Sequence, residues 1–415
     1  MSNTRPILLA GLLGLALAAA LGMLATLPLG GRVTPEQVAL AHRAAGTFGF
    51  LLPAFTFLHL HALERILRIE VRARQAIAIL SATLAGAVFL CGSILLADGA
   101  GRYVGLALGT VGLLGASGMA TGTVLGAVPK TSVVDPQTPI TKGDDACLKH
   151  MRFAHYFLPL GAGFTLAFGP WWGWEAAWTA DAHRAAVHLL LVGHGLLSVY
   201  ALGHLWIPRF SGVPAIAAGA IKGELHTSLL GIVLLVPGFL ADVRGLRIAG
   251  GVSLFIGMFT FMGVLGANIM KRKSRTQRVT REFSYVPWTF SGVFWLIMGV
   301  LLGLFLNAVP DAFAHRMPSL RFVHVHTAVW GGFAQLWMGF GYRTLPAWSG
   351  REPPTFERTK WAFYLVNLGM LLLLFGHLGG GVDGTAFRLG AASSLLGVAV
   401  YFMTLRGLLP ERVSA

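Results

Sequence analysis

Long apolar stretches, separated by short polar connections, run through almost the whole of this chain. A helix needs about 20 mostly apolar residues to cross the hydrocarbon core of a bilayer. Twelve stretches of about that length predict membrane-spanning helices, numbered spans 1 to 12, at 6–30, 38–64, 74–97, 103–128, 152–173, 184–207, 218–241, 246–270, 284–308, 322–346, 359–380 and 386–407. Charged residues make up only 12% of the sequence, about half their share in a soluble protein. We therefore predict an all-α, polytopic membrane protein in which residues 1–415 form a single integral domain.

The formal net charge of +15 is unevenly distributed between the connections. Basic residues concentrate after the even-numbered spans, at Arg65, Arg68, Arg72 and Arg74, at Lys271, Arg272, Lys273, Arg275, Arg278 and Arg281, and at Arg343, Arg351, Arg358 and Lys360. Connections rich in Lys and Arg stay in the cytoplasm. This pattern predicts cytoplasmic termini in a bacterial-type inner membrane, and it explains the charge without any nucleic-acid partner.

Four histidines fall near the predicted outer ends of even-numbered spans. His42 belongs to span 2, His188 to span 6, and His324 and His326 to span 10. A polar side chain inside a membrane is costly, which makes a functional role the first hypothesis. His324 and His326 differ by about 200° around a helix axis, so they would face two separate ligands. The alternative is that these histidines hydrogen-bond neighbouring helices.

A weak internal repeat links the same spans, at 38–66, 184–212 and 322–350. His188 precedes Pro208 by 20 residues, and His326 precedes Pro346 by 20 residues. A Ser-Gly pair follows both prolines, while the copy at His42 is weaker. Histidine-bearing helices at every fourth position predict a pseudo-threefold ring of about twelve helices.

The histidine pattern, with "HVHTAVWGG" in span 10, resembles the catalytic subunit I of the haem–copper oxidase superfamily. The closest resemblance is to the C-type oxidases and the related nitric oxide reductases. It implies that His42 and His326 are the axial ligands of a low-spin haem b and that His324 is the axial ligand of a second haem. It further implies a distal metal ligand at His188, with His194 as the alternate, and haem-propionate partners at Arg321 and Arg388.

Span 7 departs from the family pattern. The family completes its distal metal site with an adjacent His-His pair on this helix, but "KGELHTSLLGIVLLVPGFLADV" contains only His226, near the predicted inner end. A copper or non-haem iron site therefore lacks its usual ligands. The inner-end residues His204, Glu224 and His226 are predicted to be interfacial, although the group around Glu224 could also begin a proton path. Cys91 is expected to pack in a span and Cys147 to lie solvated in a loop.

Two functional classes follow, with a third that is weaker. The first is an oxidoreductase that carries electrons through the low-spin haem to a second haem, where nitric oxide or oxygen is bound or reduced. Its electrons would come from a cytochrome c-type partner subunit or from quinol, because the chain contains no CxxCH motif. The second is a non-enzymatic haem or metal protein for gas sensing or nitric oxide tolerance. A metal or ion transporter is weaker, because no acidic residue is predicted at mid-membrane.

Overall fold

A computed structural model describes residues 5–27, 33–51, 53–54, 73–96, 101, 103–109, 111–112, 114–115, 141–168, 177–211, 215–270, 285–309, 311–348, 350–381 and 384–406. Every secondary-structure element longer than one residue in these ranges is a helix, which confirms the all-α prediction. Parts of predicted spans 2, 4 and 5, including His59 and His61, lie outside the described residues.

The α-helices follow the predicted spans closely. They are α1 (Arg5–Leu24), α2 (Pro35–Ala44), α3 (Ala73–Leu95), α4 (Lys142–Phe168), α5 (Ala177–His188), α6 (Leu197–Ser211), α7 (Ala218–Leu240), α8 (Arg244–Met270), α9 (Tyr285–Ala308), α10 (Met317–His326), α11 (Gln335–Trp348), α12 (Phe356–Gly380) and α13 (Thr385–Arg406). Within the described ranges, six stretches are long and apolar enough to cross a bilayer: Ala180–Pro208, Ala218–Leu240, Arg244–Asn268, Tyr285–Ala308, Phe356–Gly379 and Thr385–Arg406. The chain is therefore a multi-pass membrane protein, while the count of twelve spans and the side of the termini stay predictions.

Three π-helical segments interrupt the helices that carry the predicted repeat. They are Ala45–Leu51 after α2, Leu189–Leu196 between α5 and α6, and Thr327–Ala334 between α10 and α11. The second begins directly after His188 and the third directly after His326. Such segments are rare and occur often at functional sites. Their shared position after a histidine supports the repeat as a hypothesis.

Helix α4 begins at Lys142, ten residues before the predicted start of span 5 at residue 152. The extension is capped, because the Asp144 amide donates to Thr141 Oγ1 at 3.1 Å and the Thr141 amide donates to Asp144 Oδ2 at 3.3 Å. Because its residues are largely polar, the apolar length of span 5 did not predict this extension. Cys147 is buried in this first part of the helix, so the prediction of a solvated loop thiol was wrong.

Glycines line the contacts between consecutive long helices. A Cβ atom added to Gly250 of α8 would lie 2.7 Å from the Leu235 amide nitrogen of α7. One added to Gly390 of α13 would lie 2.5 Å from the Leu373 amide nitrogen of α12. Both distances are too short for any side chain, so the backbones of each pair are in direct contact. Small residues permit this approach in membranes, where dispersion contacts drive helix association.

The described residues divide into two units. The first comprises 13–46 and 285–406, and therefore contains α2 and α9 to α13. The second comprises 5–12 and 47–270, and contains α3 to α8. The single integral domain remains a prediction.

Candidate functional site

His42 and His326 lie together in the first unit. Their ring centroids are 6.2 Å apart and their planes are parallel to within 6°. Two imidazoles on opposite sides of one metal ion would have centroids roughly 6 Å apart, with about 2 Å for each metal–nitrogen bond and about 1 Å from nitrogen to ring centre. The centroid spacing therefore has the length expected for one metal ion between two imidazole nitrogens.

Backbone carbonyl groups fix the orientation of both rings. Nδ1 of His42 lies 2.8 Å from the Ala18 carbonyl oxygen of α1, and Nδ1 of His326 lies 2.9 Å from the Phe322 carbonyl oxygen. A carbonyl oxygen only accepts, so Nδ1 carries the hydrogen and Nε2 of each neutral ring carries the lone pair. Histidines that bind metals are commonly held this way. Both rings are thus in the tautomer that Nε2 ligation requires.

Apolar groups pack closely around this histidine pair. The Phe322 ring stacks on His326 at a centroid distance of 3.7 Å and contacts His377 at 4.1 Å. A Cβ atom on Gly22 would lie 3.0 Å from Cε1 of His42, so only glycine leaves the imidazole its present place. The stacked Phe322 ring and the close approach of Gly22 limit rotation of the two rings.

His324 contacts a different neighbour from His326. Its Nδ1 lies 2.8 Å from the Gly299 carbonyl oxygen of α9. A Cβ atom on Gly303 of α9 would lie 2.8 Å from Cε1 of His324. The His324 ring therefore packs against α9, whereas His326 lies beside His42 and Phe322.

In the second unit, His194 lies beside His155. The His155 and His194 centroids are 5.9 Å apart with a tilt of 51°, and both residues are buried. Nδ1 of His194 lies 2.8 Å from the Ala154 carbonyl oxygen of α4. His188 is half-buried, bonds through Nδ1 to the Arg184 carbonyl oxygen and packs its ring on Phe239. The sequence analysis missed His155 because its candidate ligands were histidines near the predicted outer ends of spans, whereas His155 lies near the predicted inner end of span 5.

The same contact recurs once in each proposed repeat copy. In each case a histidine donates Nδ1–H to a backbone carbonyl group in the preceding predicted span. The pairs are His42 with Ala18, His194 with Ala154, and His324 with Gly299. In this contact His194 resembles His42 and His324, while the choice between His188 and His194 as a distal ligand stays a prediction.

The arginines predicted to bind propionates lie on helices of the first unit. Arg321 is exposed on α10, and Arg388 is partly buried on α13. Their proposed role remains a prediction.

Glu224, predicted as an interfacial residue near the inner end of span 7, lies in the protein interior. Its side chain is completely buried, and it contacts His150 of α4 and His204 of α6, which are also buried. His226, two residues further on, is exposed as predicted. Among the residues that the structure describes, no group of three or more His, Cys, Asp or Glu side chains is arranged to hold a metal ion.

The fold is similar to that of a protein of known structure. The chain is similar to a chain in the cryo-EM structure of a heme-copper terminal oxidase dimer, with a TM-score of 0.70 and 10% sequence identity. The match covers 100% of this chain and 85% of that chain. The protein therefore has a haem–copper-oxidase-like fold. No protein-family model matches the sequence, and the search of curated proteins returned no match.

Proposed function

We propose that this protein is a membrane haem protein in which His42 and His326 are the axial ligands of a low-spin haem b. The observation that carries the proposal is the parallel pair of imidazoles with centroids 6.2 Å apart. The oxidase-like fold supports it independently of that distance. Lipid, a cytochrome c-type subunit or quinol, and nitric oxide or oxygen are the proposed partners.

The residues of this chain would bind and orient the group. A haem with two imidazole ligands supplies one-electron transfer. The Ala18 and Phe322 carbonyl groups keep each Nε2 directed for ligation by holding Nδ1–H. Phe322 covers His326 and helps to exclude water. Because both axial positions would be occupied by protein, this site favours electron transfer over gas binding.

We further propose His324 as the axial ligand of a second haem, where a gas would bind or be reduced. For a copper or non-haem iron ion, His194 with His155 is a better candidate than His188, because both imidazoles are buried and adjacent. The absence of a His-His pair from span 7 favours the alternative function, a non-enzymatic haem protein for gas sensing or nitric oxide tolerance. A metal or ion transporter stays the weaker alternative, because transporters place acidic residues at mid-membrane and buried Glu224 lies near one end of α7.

Visible absorption spectra of the purified protein, oxidised and reduced, test the proposal. The wild type should show the sharp reduced bands of six-coordinate haem b, and part of the haem should respond to carbon monoxide. His42→Ala and His326→Ala should each lose the low-spin bands while the carbon monoxide response remains. His226→Ala, on an exposed helix face, is the matched control and should keep the wild-type spectrum. A full low-spin signal in His326→Ala would show that the ligand assignment is wrong.

A further inference from the structure

A carboxylate and two imidazoles, here called the Glu224 triad, meet in the interior of the second unit. The side chains of Glu224 on α7, His150 on α4 and His204 on α6 have no exposed surface. Nε2 of His204 is hydrogen-bonded to Oε2 of Glu224. Nε2 of His150 lies 3.4 Å from the other oxygen, Oε1. Each oxygen of one carboxylate therefore faces an imidazole from a different helix.

The tautomer of His150 requires a proton in this cluster. Its Nδ1 lies 3.3 Å from the Ala146 carbonyl oxygen, so Nδ1 carries a hydrogen. A neutral His150 would then present the Nε2 lone pair to Oε1, and two acceptors would face each other in a buried place. A proton on either Nε2 or the carboxyl group removes this repulsion.

Buried side chains surround the triad. Tyr200, one turn before His204, and Ser228, one turn after Glu224, are buried. From α8, the Phe261 ring packs on Tyr200 at 4.7 Å and on His204 at 4.9 Å. Tyr200 is the buried ionisable neighbour on α6, and on α4 Cys147 and Asp144 are buried within two turns of His150. The nearest other ionisable residues on α7, Lys222 and His226, are exposed.

A buried net charge is expensive, so the triad is most stable when it is neutral. Without a shared proton it would carry one negative charge, and with two shared protons one positive charge. With one shared proton it is neutral, either as a carboxylate with one imidazolium or as a carboxylic acid with two imidazoles. These arrangements contain the same number of protons and differ only in where the shared proton lies.

We propose that the Glu224 triad is a proton-binding site that passes one proton between α6 and α4. Oε2 of Glu224 takes the proton from Nε2 of the His204 imidazolium, which leaves a neutral imidazole and a carboxylic acid. After the carboxyl group turns, the acid gives the proton to Nε2 of His150, which becomes the imidazolium. The charge and the proton count of the triad are unchanged, and the reverse transfer is equivalent. The proposal needs no haem and does not rest on the proposed electron-transfer site.

Solid-state NMR of the protein in lipid bilayers tests this proposal in the wild type. Histidine rings labelled with ¹⁵N can be selected by their proximity to ¹³C-labelled glutamate carboxyl groups. His150 and His204 are the rings that the structure places beside the Glu224 carboxyl group. At about pH 7, where an ordinary exposed imidazole is mostly neutral, the selected rings should show shifts averaged between imidazole and imidazolium. Sharp shifts of one neutral tautomer in both rings would overturn the proposal.

Glu224→Gln removes the negative charge and should convert both rings to neutral imidazoles. In the unselected ¹⁵N histidine spectrum, the signals of these two rings should therefore move from the imidazolium-averaged region to the neutral region. His226→Gln, on the same helix but exposed, should leave the signals of the triad unchanged. If the averaged shifts persist in a folded Glu224→Gln protein, the carboxyl group does not share the proton. If this variant does not fold, the wild-type measurement still decides the question.

Discussion

Two glycines determine how much space individual histidine rings have. Gly303 lies against His324, and Gly22 lies against His42. A methyl group at either position would occupy space that belongs to the imidazole, and the contact at Gly303 is the shorter of the two. Each ring also donates Nδ1–H to the carbonyl group four residues earlier on the same neighbouring helix, which limits how far it can move away.

Gly303→Ala should lower the free energy of unfolding by about 1–3 kcal/mol, because the added methyl group overpacks a partly buried contact. Thermal unfolding in detergent or lipid measures the loss, and the reduced absorption spectrum reports any displacement of His324. Gly22→Ala should have a smaller effect, since its Cβ would lie 3.0 Å from the His42 ring rather than 2.8 Å as at Gly303.

Gly263→Ala is the matched control, because a Cβ atom on Gly263 meets nothing within 4 Å. In an exposed helix position alanine is favoured over glycine by about 0.5–1 kcal/mol, so this variant should be as stable as the wild type or more stable. Equal stability of Gly303→Ala and Gly263→Ala would mean that the His324 contact is not tight.

At the scale of the helices, Asn367 of α12 joins three elements of the first unit. Its Oδ1 accepts hydrogen bonds from Ser291 Oγ at 2.8 Å, Trp295 Nε1 at 3.0 Å and Gln335 Nε2 at 3.1 Å. Its Nδ2 donates to the Phe363 carbonyl oxygen of α12 at 2.9 Å. The side-chain amide of Asn367 therefore accepts hydrogen bonds from donors on α9 and α11. In a membrane, no water molecule is present to accept these bonds in its place.

Asn367→Ala should destabilise the protein by about 1–3 kcal/mol, because it leaves buried donors without their acceptor. Thr260→Ala removes a single hydrogen bond from an exposed side chain to the Ile256 carbonyl group of its own helix. That control should change stability by less than about 1 kcal/mol. Thermal unfolding under identical lipid conditions compares the two, and equal losses would show that Asn367 does not connect the helices.

Apolar length alone predicted most helix positions within a few residues. Span 7 was predicted at 218–241 and is helical over Ala218–Leu240. Apolar length did not predict the start of α4, because its first turns contain polar residues. Several of these residues are nevertheless buried by packing. For the site, the H-x-H spacing pointed to two separate environments for His324 and His326. The burial of Glu224 and the partner of His194 depend on which helices touch, and a single sequence does not contain that information.

At the scale of the whole molecule, the predicted topology assigns opposite sides of the membrane to two described connections. The connection between α7 and α8 should be outside, and the connection between α11 and α12 should be cytoplasmic. Ala241 and Glu352 are exposed residues in these connections. The two native cysteines are buried, so they should give little background labelling.

In intact cells, an impermeant maleimide should label Ala241→Cys but not Glu352→Cys, and opening the membrane should make Glu352→Cys reactive. The physical reason is the concentration of Lys and Arg after even-numbered spans. Labelling of Glu352→Cys alone in intact cells would show the opposite orientation. Labelling of both variants would show that connections after odd- and even-numbered spans do not lie on opposite sides of the membrane.

The π-helical segments also affect how such helices are compared by position. A π-helix forms i→i+5 hydrogen bonds and has more residues per turn than the 3.6 of an α-helix. The segment Thr327–Ala334 therefore shifts the angular phase of α11 relative to α10. A helical wheel drawn with one constant period through both helices assigns residues after Ala334 to the wrong face. A wheel for this helix must restart its angle at Gln335, and the same correction applies at Leu197.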